Sequence, residues 1–141
     1  YKWFDVQTDY TSGRRVQPLQ PKERWMVNLS YETVPDQGKQ WRFDATFNAI
    51  GTQRLPDTSA NPLAYQMEAE APAYTTTQAQ ITRVFSPSIE VYLGAENLFN
   101  YYQKNAILSA NNPFGTYFDA SMTYAPTLGR MIYGGIRFKL K

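Results

Sequence analysis

Nine consecutive residues, Trp41 to Ala49, alternate without a miss between two kinds of side chain. Trp41, Phe43, Ala45, Phe47 and Ala49 point one way, and Arg42, Asp44, Thr46 and Asn48 point the other. Successive side chains of a strand face opposite sides, so a period of two marks a strand and excludes an amphipathic helix. The same period recurs along the chain. Trp25, Val27, Leu29 and Tyr31 alternate with Met26, Asn28, Ser30 and Glu32. Ile89, Val91, Leu93 and Ala95 oppose Glu90, Tyr92, Gly94 and Glu96. Ile132, Gly134, Ile136, Phe138 and Leu140 oppose Tyr133, Gly135, Arg137 and Lys139. With shorter runs near Phe4 and Ile81, the pattern predicts six strands, at about 2–9, 24–34, 41–54, 75–85, 89–102 and 130–140. Most reach the roughly 9–11 residues with which a tilted strand crosses a bilayer. Strands of soluble proteins average about 5–6.

The connections alternate in length. Pro35 to Gln40 makes one turn and Ser86-Pro87-Ser88 a tighter one. The other three links, at about 10–23, 55–74 and 103–129, are long and rich in Pro, Asn, Ser and Thr. Short turns thus fall at one end of the strands and long loops at the other. Outer-membrane barrels have this asymmetry, with short periplasmic turns and long extracellular loops. Within the second long link, Met67 to Ala71 is expected to form a helical turn that Pro72 stops.

Composition narrows the chemistry. Cysteine and histidine are both absent. That removes disulfides, thiolate metal sites, Cys nucleophiles, Ser-His-Asp triads, His bases and the usual zinc sites from this chain. The expectation is therefore no enzyme, no cofactor and no metal site. Lys and Arg number 14 against 12 Asp and Glu, a net charge of +2, which argues against nucleic acid as a partner. No stretch approaches the roughly 20 apolar residues of a membrane helix, whereas alternating strands are nearly invisible to hydropathy. The chain opens on Tyr1-Lys2-Trp3 with neither an initiator Met nor a signal peptide, as a mature secreted form or the back end of a longer protein would.

Six strands are too few for a membrane barrel, whose smallest single-chain type uses about eight. An open greasy sheet would leave unpaired edge groups in lipid at several kcal/mol each. If these strands span a membrane, residues 1–141 are part of a larger barrel.

Three segments carry a family resemblance. Gly94-Ala95-Glu96-Asn97-Leu98-Phe99-Asn100 resembles the "G-x-x-N-L-F-[DN]" penultimate strand of TonB-dependent outer-membrane receptors. Gly129 to Phe138 is similar to their closing "G-R-x-x-[YF]-x-G-[IL]-R-F" strand. Pro18-Leu19-Gln20-Pro21-Lys22-Glu23-Arg24 resembles the proline-marked start of an earlier strand. The resemblance covers nearly the whole chain. It implies an all-β fold, an antiparallel transmembrane β-barrel segment of six long up-and-down strands within a barrel of about 22. Residues 1–141 would be its C-terminal part, with the plug domain, TonB box and earlier strands lying outside this sequence. The implied function is TonB-energised uptake of a scarce nutrient (siderophore, haem, cobalamin, metal or glycan) across the outer membrane of a Gram-negative cell. Implied partners are the plug and remaining strands of the same receptor, outer-membrane lipid and lipopolysaccharide, the TonB complex through the absent N-terminal part, and a small-molecule or glycan ligand. The closing strand would be the barrel's seam and its assembly signal. Lys139-Leu140-Lys141 departs from the family's usual aromatic end, although Leu140 keeps the phase.

Candidate residues fall into sets. Trp25, Trp41, Phe43, Phe47, Ile132, Ile136 and Phe138 are expected to face lipid. Arg42, Asp44, Glu90, Glu96 and Arg137 are expected to line a lumen and face the plug. Glu90 and Glu96 share a face, yet six residues along one strand is about 20 Å. Glycosidase carboxylates lie about 5–9.5 Å apart, so this is no catalytic pair. Arg14, Arg15, Lys22 and Arg24 beside Trp25 either meet lipopolysaccharide phosphates or belong to a solvated loop. The loop aromatics Tyr101, Tyr102, Phe114, Tyr117, Phe118 and Tyr124 either stack on a flat ligand or pack on each other. Competing readings are a soluble β-barrel ligand-binding domain, in which Trp41, Phe43 and Phe47 would be packed inside, and a passive outer-membrane porin.

Overall fold

A computed structural model describes residues 1–140. The fold is all-β. Its strands are β1 (Lys2–Trp3), β2 (Gln7–Tyr10), β3 (Gly13–Val16), β4 (Glu23–Glu32), β5 (Gln40–Ile50), β6 (Gln53–Arg54), β7 (Glu70–Ala71), β8 (Tyr74–Ser86), β9 (Ile89–Glu96) and β10 (Met131–Phe138). Six of them make one antiparallel sheet in the order β1-β4-β5-β8-β9-β10. Apart from β1, sheet neighbours follow one another in sequence along the up-and-down path that the connections predict.

The four long alternating runs become β4, β5, β9 and β10, and the structure moves several ends. The expected strand at 2–9 is split. Only Lys2 and Trp3 pair with β4, opposite Arg24 and Glu23, while Gln7–Tyr10 folds onto Gly13–Val16 as a separate hairpin. That local pairing closes a two-residue loop and so outcompetes the longer reach to β4. The expected strand at 41–54 stops at Ile50. Gly51 still donates to the Glu23 carbonyl, Gln53 bridges to Pro21 and Arg54 accepts from the Leu19 amide, while Gln53 and Arg54 also pair with Ala71 and Glu70. The expected strand at 89–102 ends at Glu96, because Asn97 and Asn100 adopt left-handed backbone with φ of 49° and 59°. The helical turn expected at 67–71 is absent. Glu70–Ala71 is a strand there, and a single 3-10 turn sits earlier, at Leu63–Tyr65.

The turns have clear causes. Between β4 and β5, Asp36 and Lys39 exchange both backbone hydrogen bonds around Gln37 and Gly38, which both have positive φ, 50° and 79°. Two such central residues define the type I′ turn, whose twist matches that of a hairpin. Between β8 and β9 the register slips by a bulge at Val84/Ser86 before Pro87.

The chain forms two compact units. One holds 1–25, 49–74 and 102–128, and so nearly all of the three long connections. Its interior contains Pro21, Leu55, Ala71, Met122 and Ala125 with the polar Gln53, Thr58 and Gln103. The other holds 26–48, 75–101 and 129–141, with the body of the strands and both short turns. Its buried residues are Thr82, Val84, Glu90, Gly94 and Asn97. In this unit the polar side chains share one face: Asn28 bonds Thr46, Ser30 bonds Asp44 and Asn48 bonds Gln78, at 2.7, 2.7 and 3.2 Å. The opposite face carries Tyr31 against Phe43 and Phe43 against Trp41.

β9 and β10 are joined across the polar face by two reciprocal pairs. Tyr133 stands opposite Gly94, and Tyr92 opposite Gly135. Each tyrosine ring occupies the space where the facing glycine would carry a Cβ. The glycines are required here by close approach, and the ring covers backbone that glycine leaves bare. Gly94→Ala is expected to lower stability by about 1–3 kcal/mol through overpacking. Tyr133→Ser in the same chain should recover part of that loss. Thermal unfolding of the single and double variants checks both.

Candidate functional site

Three features of the structure bear on function: an ion cluster at the turn side of the polar face, the ordered long connections, and the exposed apolar face.

The ion cluster centres on Glu90 of β9, which is only 2% exposed. β10 pairs with β9 so that Arg137 lies directly opposite Glu90. Arg137 reaches Glu90 Oε2 at 2.8 Å, and Lys139 reaches Oε1 at 2.6 Å. Arg42 of β5 stands 3.8 Å from the same carboxylate and 3.5 Å from Glu32. Gln40 also donates to Glu32. One carboxylate thus ties the closing strand to β9 and draws in β5. The structure brings together three of the five expected lumen residues, Arg42, Glu90 and Arg137. Asp44 lies apart, accepting from Ser30, and Glu96 is exposed opposite Met131. Among the described residues no group of His, Cys, Asp and Glu is placed to hold a metal ion.

The long connections are held by polar contacts more than by a core. Gln103 is buried and uses its whole side chain. Its Nε2 donates to the carbonyls of Met122 and Asn105, and its Oε1 accepts from the amides of Tyr124 and Ala125. Its own amide donates to the Pro126 carbonyl. Gln53 and Tyr74 both donate to the Tyr124 carbonyl. Tyr65 of the second connection stacks on Tyr117 of the third, centroids 4.7 Å apart. Leaving β9, Asn97 bonds the Tyr101 backbone in both directions, and Asn100 accepts from the Arg130 amide. Asp57 accepts from the Ser59 amide, which holds its carboxyl below the usual range.

The six loop aromatics therefore divide. Tyr117 is engaged in the stack, and the backbones of Tyr101 and Tyr124 are anchored. Phe114 is 98% exposed, and Tyr102 and Phe118 are also exposed. Of the basic residues, Lys22 pairs with Glu70 at 3.1 Å, Arg24 lies over Phe4, and Arg14 and Asp9 form a loose exposed pair. Arg15 pairs with Thr8 in the hairpin, and its charge also favours the Asp57 carboxylate.

The expected lipid-facing residues are all exposed: Trp25, Trp41, Phe43, Phe47, Ile132, Ile136 and Phe138. Trp41, Phe43 and Phe47 are 39, 41 and 41% exposed, on a face that nothing among the described residues covers. On this face Leu29, Phe43, Ile81, Leu93 and Ile132, with Ala45, Ala79 and Ala95 between them, line a shallow apolar depression of about 720 Å³.

Sequence reasoning missed Gln103, Tyr65 and Arg83. Apart from Asn105, the partners of Gln103 lie between Met122 and Pro126, and Tyr65 stacks on Tyr117, so no local pattern marks these contacts. Arg83 did carry a signal: extending the Ala79, Ile81 phase puts it on the apolar face. No protein family, curated protein or solved structure matches this chain.

Two outcomes test these assignments. Gln103→Ala leaves buried amides and carbonyls unpaired, each worth about 1–3 kcal/mol. Hydrogen exchange at the amides of Tyr124 and Ala125 should accelerate while that of β9 stays unchanged. Glu90→Gln leaves three cations facing a neutral amide and should cost about 2–3 kcal/mol in thermal unfolding. That is less than for a fully buried pair, because Arg137 and Lys139 are half-exposed.

Proposed function

We propose that this chain is a section of the wall of an outer-membrane β-barrel, and more particularly the C-terminal six strands of a TonB-dependent receptor. The observation that carries the first step is the exposed apolar band around Trp41, Phe43 and Phe47, set against a polar face laced with its own hydrogen bonds. A soluble sheet buries its apolar face against a second layer. Here only Pro21, Leu55, Ala71, Val84, Met122 and Ala125 have buried apolar side chains among the described residues, and none belongs to that band. Lipid is the solvent that suits such a face.

Open edges support a larger barrel. The sheet order ends at β10 on one side and at the two-residue β1 on the other, so among the described residues β4 beyond Arg24 has no strand pairing on its outer side. Further strands would satisfy both edges. The receptor class rests on the Asn97-Leu98-Phe99-Asn100 and Gly129-to-Phe138 motifs. On this reading the protein imports a scarce nutrient by binding and gating. The polar face meets the plug, and the long connections, with Phe114, Phe118 and Tyr102 free, help form the extracellular vestibule.

The absence of cysteine from this chain makes topology testable by labelling. With any cysteine outside residues 1–141 replaced, Phe114→Cys should react with a membrane-impermeant maleimide on intact cells. Gln37→Cys, in the short β4–β5 turn, should react only after the outer membrane is opened. Equal labelling of both on intact cells would overturn the barrel reading. Retention of the TonB C-terminal domain by the full-length protein checks the receptor class separately.

A further inference from the structure

Arg83 breaks the chemistry of its face. From Trp41 to Phe47 on β5, Ala79 to Arg83 on β8, Ile89 to Ala95 on β9 and Ile132 to Phe138 on β10, every outward residue is apolar except Arg83. Register fixes its side: Arg83 pairs with Val91, which pairs with Ile136. Its guanidinium carbon lies 4.8 Å from the Trp41 ring centroid and 5.8 Å from that of Phe85. Among the described residues it has no hydrogen-bond acceptor and no acidic partner. The Trp41 indole N–H has no acceptor there either. Glu90 and Glu32, the acidic residues of the ion cluster, lie on the opposite face. Arg83 stands three residues before the tight β8–β9 turn, and Trp41 is the second residue of β5, just after the other short turn.

A cation on the lipid face costs about 2–4 kcal/mol at the bilayer midplane and about 0–1 near the interface. Arg83 therefore belongs at a membrane boundary, where aromatic residues also gather. Two ring faces hold the guanidinium there by cation–π attraction, and its planar fork matches a phosphate. On the proposed topology the short turns face the periplasm, where the leaflet is built of phospholipid. We propose that Arg83, with the Trp41 indole N–H, seats the phosphate of an anionic phospholipid at the turn-side boundary of the bilayer. This rests on the barrel reading.

The experiment places the full-length protein in nanodiscs of mixed phosphatidylglycerol and phosphatidylethanolamine and reads the retained lipids by native mass spectrometry. The wild type should retain phosphatidylglycerol about fivefold more than Arg83→Gln, the factor one cation near an anionic surface is worth. Arg83→Lys should fall between them, because an ammonium lacks the fork. Trp41→Phe keeps a ring and removes the N–H, so it should reduce retention in part and serves if Arg83→Gln fails to insert. Equal retention by an inserted wild type and an inserted Arg83→Gln overturns this proposal alone. A wild type that does not enter the bilayer overturns the barrel reading and this proposal with it.

Discussion

Backbone hydrogen bonding at the edges of a sheet is the constraint on which the rest of the proposed assignment depends. Each strand presents alternating amides and carbonyls on both sides, and hydrocarbon offers no substitute partner. A long, apolar-faced sheet is compatible with lipid only where every strand has two neighbours. In this chain β5, β8 and β9 have two, while β10 and most of β4 have one. A two-residue β1 cannot protect a ten-residue β4. The sheet is thus paired on both sides at its centre and on one side at its margins, and on the barrel reading further strands would lie beyond both.

Within that sheet the two faces are stabilised differently. The apolar face is covered only by contacts among its own side chains, and its large residues stay partly open. The polar face is held by short polar bonds between neighbouring strands and by the two interlocked Tyr–Gly pairs of β9 and β10. Glu90 adds charge to that seam. A single carboxylate with three cations carries net positive charge, and Glu32 on Arg42 and Gln40 on Glu32 extend the network outward. Because Arg137 and Lys139 both belong to the end of the chain, the cluster fixes the final strand at the side opposite the Asn100–Arg130 bond. The last strand is therefore fastened at both ends as well as along its ladder.

Much of the sheet was legible in the sequence because alternation is a local property. The runs in β4, β5, β9 and β10 span eight to eleven residues, enough for the period to stand out. What alternation does not encode is the choice of partner. Gln7–Tyr10 and Gln53–Arg54 have strand-like sequences, yet each pairs with a short neighbour and leaves the main sheet. Where strands end is set by backbone sign, and nothing in the Asn97-Leu98-Phe99-Asn100 composition states that both asparagines turn left-handed. The ion cluster was half legible. Face assignment put Arg42, Glu90 and Arg137 together, and the rise along one strand already separated Glu96 from Glu90, but register was needed to exclude Asp44. The loop network was not legible, since Gln103 and Tyr65 act on residues far along the chain.

That network changes what the loop aromatics can do. A ligand surface made of loose chain would lose affinity to the entropy of ordering it. Here the ordering is supplied beforehand: Gln103 closes the third connection on itself, Gln53 and Tyr74 hold Tyr124, and the Tyr65–Tyr117 stack joins the second connection to the third. Contacts of this kind suit a segment with few apolar side chains to bury, because a satisfied buried amide fixes geometry as well as packing does. The six aromatics thus differ in what holds them. Tyr117 is committed to order, Tyr101 and Tyr124 have their backbones fixed, and Tyr102, Phe114 and Phe118 are left exposed on a connection that the others hold in place. On the receptor reading, those three are the aromatic surface available to a ligand.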